Sequence, residues 1–114
     1  MTTDQIASVV GARIVCGEPE NDQDIAYAFA SDLMSDVLTL TQEHVLFITG
    51  LVAPQTIRTA VISDISTILF VRGKNVPQSI VALAKENDMT VMTSAYSMYR
   101  ACGELYKAGL HAIY

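Results

Sequence analysis

The sequence predicts an α/β fold with a largely parallel five-stranded sheet and helices on its faces. Two continuous apolar runs, residues 45–50 and 67–71, are typical of strands buried on both faces. A segment with apolar residues at helical spacing follows each run. Because strands and helices alternate along the chain, parallel pairing is favoured. The length of 114 residues suits a single domain over residues 1–114.

The chain is predicted to begin with a helix and a strand. Thr2 and Gln5 fit a capping box, and Gly11 follows the short apolar face, so a helix is expected over about residues 3–10. Residues 12–17 are largely apolar and predict the first strand.

Residues 25–31 predict the second strand, because large apolar side chains alternate there with alanines. The alanine face would let a helix pack closely. The acidic connection before it, residues 17–25, reads as a solvated loop and is too short for a crossover helix, so the first two strands can pair antiparallel. Asp32 then stands where it can cap a short helix.

The rest of the chain predicts three more helices and a last strand. Pro54 suits the first turn of one helix, and Pro77 opens the next. Residues 89–93 predict the fifth strand. Ser94 is a candidate N-cap for the final helix, which Gly109 ends.

Aromatic and apolar residues gather towards the C-terminus. Tyr99 and Tyr106 fall on the apolar face of the final helix, so core packing is the first expectation for both. Tyr96 and Met92 can instead line an interface. Residues 105–114 stay apolar, and we expect this segment to dock on its own domain or on a partner.

The composition favours a chain that packs against another subunit. Hydrophobic residues make up 51% and charged residues 17%, which fits a homodimer and also fits strands buried on both faces. The formal net charge of −5 and the lack of a basic stripe argue against nucleic-acid binding.

No cofactor or metal site is expected. Cys16 and Cys102 lie far apart, and His44 and His111 complete no zinc-ligand spacing with them. Both cysteines are interpreted as small buried apolar residues. The sequence has neither a signal peptide nor a stretch as long as a membrane span, so no membrane association and a cytoplasmic location are expected.

Three blocks together resemble the DRTGG domain: "FASDLMSDVL" (29–38), "FITGLVAPQTIRTA" (47–60) and the segment from "TILFVRGKN" to "YRA" (67–101). The resemblance runs from about residue 12 to 110 and lies in the order and spacing of the blocks. This family occurs beside CBS domains and in some phosphate acetyltransferases, and it is similar to the N-terminal domain of HPr kinase. The resemblance implies a three-layer α/β/α fold, a regulatory or dimerising role, and a free-standing version of the domain here.

The sequence departs from the family pattern in two places. The Asp-Arg pair of the family should follow "FIT", where this chain has Leu51, Val52 and Ala53. The Thr-Gly-Gly element should end the fourth strand, where residues 70–73 keep one glycine. Any ligand that the family motif holds would therefore meet a changed site.

Polar residues stand where the predicted parallel strands end. Ligands bind at the carboxyl ends of strands in open parallel sheets, so these residues, together with the following helix start, are the candidate ligand site. The candidates are Ser31, Asp32, Thr49, Gly50, Gln55, Thr56, Arg72, Gly73, Thr93 and Ser94. An anion is expected near the backbone N–H groups of Gln55 and Thr56, with Arg72 beside it. Helix caps, turns and solvated loop charges are the competing interpretation.

Catalytic motifs are absent from the sequence. Arg72, Gly73 and Lys74 lack the rest of a phosphate-binding loop, and neither histidine is paired with a nucleophile. The sequence thus predicts a non-catalytic regulatory or ligand-sensing module, homodimeric, that binds a small anionic or nucleotide ligand and serves a metabolic or signalling enzyme. The alternative is a protein–protein adaptor subunit of a larger metabolic enzyme complex with no ligand of its own.

Overall fold

The computed structural model describes residues 1–18 and 24–114, so the middle of the predicted acidic loop, residues 19–23, lies outside the described residues. The described part contains five helices and six strands. The helices are α1 (Thr3–Val10), α2 (Met34–Val37), α3 (Pro54–Ile62), α4 (Gln78–Glu86) and α5 (Met98–Ala108). The strands are β1 (Arg13–Cys16), β2 (Tyr27–Ala30), β3 (Val45–Thr49), β4 (Thr67–Phe70), β5 (Thr90–Thr93) and β6 (His111–Ala112).

The sheet has the order β1-β5-β4-β3-β2-β6. Strands β2 to β5 are parallel to one another, and β6 is parallel to β2. The largely parallel sheet is therefore confirmed, but it has six strands rather than five. Because β6 holds only two residues, its strand pattern is too short to be seen in the sequence.

The expected pairing of the first two strands is wrong. Strand β1 is antiparallel, but its partner is β5, and the two strands β1 and β2 lie near opposite ends of the sheet. Both sides of β2 are occupied, by β3 and by β6. A short connection between two strands therefore does not make them neighbours in this fold.

The three-layer arrangement is confirmed. Helices α2, α3 and α4 cover one face of the sheet, where Phe47 and Phe70 are fully buried. Helices α1 and α5 cover the other face over Leu46 and Leu69. The continuous apolar runs of the sequence are β3 and β4, and every residue of both strands is buried, as predicted.

Four helices end in the same way. A residue in the left-handed region follows each helix, and the next amide donates to the carbonyl five residues back, at 2.8 to 3.1 Å. The left-handed residues are Gly11, Asp64, Asp88 and Gly109. The predicted helix ends at Gly11 and Gly109 are confirmed, as are the capping box of α1 and the first-turn proline of α3.

Two predicted helix caps are wrong. Ser97 caps α5, while the hydroxyl of Ser94 is buried and donates to the Val10 carbonyl at 2.6 Å. Leu33 occupies the N-cap position of α2 without a side-chain bond, because the carboxylate of Asp32 turns to other partners. In both cases a contact with a distant part of the chain replaces the local one.

The expectation for the two helical tyrosines is also wrong. Tyr99 and Tyr106 are 91% and 72% exposed, because Ala101 and Leu105 form the stripe of α5 that faces the core. Met92, offered as an interface residue, is fully buried.

The apolar C-terminal segment docks on its own domain, as one of the two expected outcomes. Leu110 is buried in the core, and β6 pairs with Tyr27 and Ala28 of β2. The Tyr114 ring lies 6.2 Å from that of Phe29 between centroids, in an edge-to-face arrangement.

Candidate functional site

The parallel strands bring four of the candidate residues together. Asp32 follows β2, Thr49 and Gly50 end β3, and Arg72 follows β4. Their side chains or backbone groups are joined by hydrogen bonds at the carboxyl edge of the sheet. We call this group, Asp32, Thr49, Gly50 and Arg72, the edge cluster.

Asp32 is the centre of the edge cluster. One of its carboxylate oxygens accepts from the Thr49 hydroxyl at 3.0 Å and from the Gly50 backbone N–H at 2.8 Å. The other accepts from the Arg72 guanidinium at 3.1 Å. The pKa of Asp32 lies below its usual value because of these contacts. The Gly50 N–H contributes most, followed by the Thr49 hydroxyl and the charges of Arg72 and Lys74. The carboxylate is therefore charged at neutral pH.

Gly50 leaves the space that Arg72 needs. The guanidinium of Arg72 crosses directly over the Gly50 Cα, and a Cβ at this position would overlap it. The glycine is thus required for the placement of an arginine from the next strand end. The sequence analysis named Gly50 among the candidate ligand-site residues, with a simple turn as the competing interpretation.

Arg72 has an unusual backbone conformation. Its φ is +71° and that of Gly73 is +65°, so two left-handed residues follow each other. Their N–H groups donate to the carbonyls of Tyr96 and Ser94 at 2.8 and 2.9 Å. Non-glycine residues in this region are strained and concentrate at functional sites. The two hydrogen bonds to the β5–α5 connection hold Arg72 in this geometry.

The other candidate residues make local structural contacts. The Thr56 hydroxyl donates to the Leu51 carbonyl, and the Thr93 hydroxyl donates to the Lys74 carbonyl. The hydroxyl of Ser31 accepts from the Leu33 N–H. Gln55 is exposed at the start of α3 and Gly73 forms the turn after β4, while Ser94 holds α1. A role for these six residues in ligand binding stays a prediction.

The expected anion position at the start of α3 has fewer free donors than the sequence suggested. Pro54 occupies the first helical position and has no N–H. The Thr56 N–H already donates to the Ala53 carbonyl at 3.0 Å. The arginine of the edge cluster is therefore a stronger anion partner than the backbone of this helix.

Sequence reasoning missed a third cation near this edge. The Arg100 guanidinium lies 3.7 Å from the centroid of the Tyr96 ring, in the connection that holds the Arg72 backbone. Tyr96 lies just before the N-cap Ser97 and Arg100 lies in the first turn of α5, so the contact depends on a helix start that the predicted cap at Ser94 had misplaced.

The thiols fit the structural interpretation. Burial raises the pKa of Cys16 and of Cys102, so neither is primed as a thiolate. Cys16 is buried as predicted, whereas Cys102 is only half-buried. Over residues 1–18 and 24–114, no group of three potential metal ligands comes together. In the same part of the chain, no helix is both long and apolar enough to cross a membrane.

The comparison with known families agrees with the fold and with the resemblance of the blocks. A model of the DRTGG domain matches residues 5–108. The chain belongs to the DRTGG family. It has no match among curated protein sequences.

A solved structure resembles this DRTGG domain over almost its whole length. It contains the CBS and DRTGG domains of the regulatory region of Clostridium perfringens pyrophosphatase, in complex with the activator diadenosine tetraphosphate. The TM-score is 0.80 at 17% sequence identity, over 96% of this chain and 47% of that chain. The present chain therefore spans about half of the pyrophosphatase region, and the likeness shows the shared fold.

Proposed function

We propose that this DRTGG domain is a non-catalytic regulatory module that senses a small anionic or nucleotide ligand at the carboxyl edge of its sheet. It acts as a homodimer in the cytoplasm and serves a metabolic or signalling enzyme. The observation that supports the proposal is the placement of Arg72, which Asp32 holds at this edge beside Lys74. Nucleic acid is an unsuitable ligand, because the chain has 12 acidic and 7 basic residues.

The guanidinium of Arg72 has donors to offer. Its side chain is about half exposed, and within the described residues its one ion pair is with Asp32. A guanidinium carries five N–H donors in a planar fork that matches phosphate and carboxylate oxygens. The unused donors, together with the charge of Lys74, suit a phosphate group that approaches from solvent.

The edge cluster also offers a means of response. Asp32 ties the end of β2 to β3 through Thr49 and Gly50, and to the end of β4 through Arg72. An anion on the free donors of Arg72 shares the guanidinium with Asp32 and weakens that ion pair. Binding would therefore change how firmly the three strand ends are joined, which is a change that a partner enzyme can read.

A thermal-shift experiment tests the proposal. The ligands are mononucleotides, dinucleoside polyphosphates, acyl phosphates and inorganic phosphate; the dinucleotides are included because of the activator in the pyrophosphatase structure. A ligand at one hundred times its Kd should stabilise the fold by about 2.7 kcal/mol. The response should disappear in Arg72→Ala and persist in Arg58→Ala, which removes an exposed arginine from α3. A shift of equal size in both variants would contradict the proposed site.

A second variant separates charge from geometry. Gly50→Ala keeps every charge but places a Cβ where the guanidinium of Arg72 lies. The side chain of Arg72 must move, so the ligand response should fall as it does in Arg72→Ala. An unchanged response in Gly50→Ala would show that the cluster geometry has no part in binding.

The adaptor alternative rests on a different observation. Tyr99 and Tyr106 present large aromatic surfaces to solvent on α5. An adaptor would show no stabilisation with any of the ligands. It would bind a partner enzyme through this apolar surface. Tyr99→Ser would weaken that complex, whereas Arg72→Ala would not.

A further inference from the structure

The face of the sheet that carries α1 and α5 is partly open at β2. Three helices pack on one face and two on the other. Strand β2 has a neighbour on each side, yet its residues are half-buried or exposed, whereas β3 and β4 are fully buried. An open apolar cavity of about 170 Å³ lies beside α5, and Ala28 and Ala30 of β2 line it. The sheet thus has a trough between α5 and the β2–β6 edge.

The flank of α5 next to this trough is largely apolar. Tyr99, Cys102, Gly103, Tyr106 and one cation, Lys107, line a second groove on the outer side of the helix. Cys102 and Tyr106 also line the trough, so the two surfaces are continuous. No atom lies within 4 Å of the position that a Cβ on Gly103 would take, so the backbone of α5 is open to close approach here. We call the trough and this flank together the α5 face.

We infer that the α5 face is the contact between two copies of the chain. This inference deepens the homodimer of the proposed function. A two-fold contact uses the same patch on both copies, so the patch must be complementary to itself. The α5 face has a ridge that carries Tyr99 and Tyr106 beside a trough floored by the small side chains of Ala28 and Ala30. A two-fold rotation places the ridge of each copy in the trough of the other.

The small residues permit a close helix pair. Gly103 stands at the middle of α5, which spans Met98–Ala108. Two antiparallel copies of α5 that cross near Gly103 bring their backbones together where neither has a side chain. Each Tyr99 then lies towards the C-terminal half of the other helix, near the partner's Tyr106. Tyrosine is enriched in the cores of such interfaces.

The charges on this part of the chain also favour a second copy. Two molecules with a net charge of −5 repel each other unless their contact avoids acidic groups. The segment from α5 to the C-terminus carries two cations, Arg100 and Lys107, and one acid, Glu104. Eleven of the 12 acidic residues therefore lie elsewhere. An antiparallel pair of helices places Glu104 of each copy near a cation of the other.

The mass in solution of the wild type and of two matched variants tests the inference. Tyr106 and Ile62 are 72% and 74% exposed, on α5 and on α3 of the opposite layer. Light scattering of the wild type and of Ile62→Glu at micromolar concentration should give twice the chain mass of 12.4 kDa. Tyr106→Glu should raise the Kd of the dimer at least about tenfold, because it removes an aromatic ring from the contact and brings a carboxylate to an apolar surface. A monomeric wild type, or equal behaviour of the two variants, would overturn the inference.

Cross-linking locates the two-fold axis. The native Cys102, next to Gly103, should form a covalent dimer with a short bismaleimide, while Ile62→Cys in a Cys102→Ser background should stay monomeric on a denaturing gel. Efficient linking through Ile62→Cys alone would place the contact on the opposite layer and overturn the inference.

The failure of this inference can be told apart from that of the ligand site. Tyr106→Glu leaves every residue of the edge cluster in place, and it is carried through the same thermal-shift screen. A ligand response with a monomeric wild type contradicts the α5 contact alone. A dimer whose mass falls in Tyr106→Glu, with no ligand response in any variant, contradicts the ligand site alone.

Discussion

At the β1 edge of the sheet, backbone packs directly against backbone, whereas at the β2–β6 edge a few polar contacts hold the chain. Gly17 follows β1 with a φ of +125°, and a Cβ on it would lie 2.8 Å from the Thr90 Cα. The adjacent Cys16 is buried and its thiol donates to the Met89 carbonyl. The contact between Gly17 and β5 therefore has no room for an added side chain.

The opposite edge is loosely covered. Strand β6 pairs with β2 through two residues, both exposed, and the far end of β2 is tied down by Asp32. The apolar trough beside α5 opens here. The difference teaches that the sheet is closely packed where β1 joins it and loosely covered where β6 joins it.

The largest expected effect on the free energy of unfolding is at the β1 edge. Gly17→Ala forces a left-handed conformation on alanine and a clash with the backbone of Thr90. The free energy of unfolding should fall by about 3 kcal/mol, which chemical denaturation can measure. Ser79→Ala is the control: it changes an exposed residue of α4 and should alter the free energy of unfolding by less than about 0.5 kcal/mol. A Gly17→Ala variant as stable as the wild type would remove the contrast between the edges.

A smaller loss of stability is expected at the β2–β6 edge, from Asp32→Ala. The Gly50 N–H and the Thr49 hydroxyl lose their acceptor, and the β2 end is released. The expected loss is about 2 kcal/mol of unfolding free energy. Asp36→Ala removes an exposed acid four residues away and should change stability by less than about 0.5 kcal/mol. If both variants lose the same amount, the edge cluster does not hold β2.

The contribution of Asp32 should depend on pH. The pKa of Asp32 is lowered in the folded state, mainly by the Gly50 N–H, so protonation costs stability there. The stabilisation is fully present above the ordinary pKa of 3.8 and is lost as the pH falls through the lowered value. The difference between wild type and Asp32→Ala in denaturant unfolding should therefore be larger at pH 7 than at pH 3. A difference that grows on acidification would contradict a charged Asp32 as the acceptor.

The smallest effect is expected in β6. His111→Pro removes the N–H that donates to the Ala26 carbonyl at 3.0 Å. The loss should be about 1 kcal/mol, since the strand is short and exposed. His111→Ala keeps the backbone donor and should stay near wild type. Hydrogen exchange should show faster opening of β6 than of β3 in the wild type, and equal protection of the two strands would show that this edge is not the weaker one.

Much of the fold could be predicted because its signals are local. The buried strands β3 and β4 are continuous apolar runs, and the ends of α1 and α5 are marked by Gly11 and Gly109. The candidate ligand site was harder to predict. The residues of the edge cluster could be named from strand ends, but their hydrogen bonds could not, because Asp32 and Arg72 are 40 residues apart in the chain.

The sequence by itself determined the α/β class, most of the elements, the family and the row of polar residues at the strand ends. The class and the elements follow from apolar periodicity, capping residues and turn residues, which act over a few positions, and the family follows from the order and spacing of sequence blocks. Only the tertiary structure decided that β1 pairs with β5, that Ser94 holds α1, and that Gly50 makes room for Arg72. It also decided that Tyr99 and Tyr106 face outwards beside an open trough. Each of these depends on contacts between distant segments, for which local patterns carry no signal.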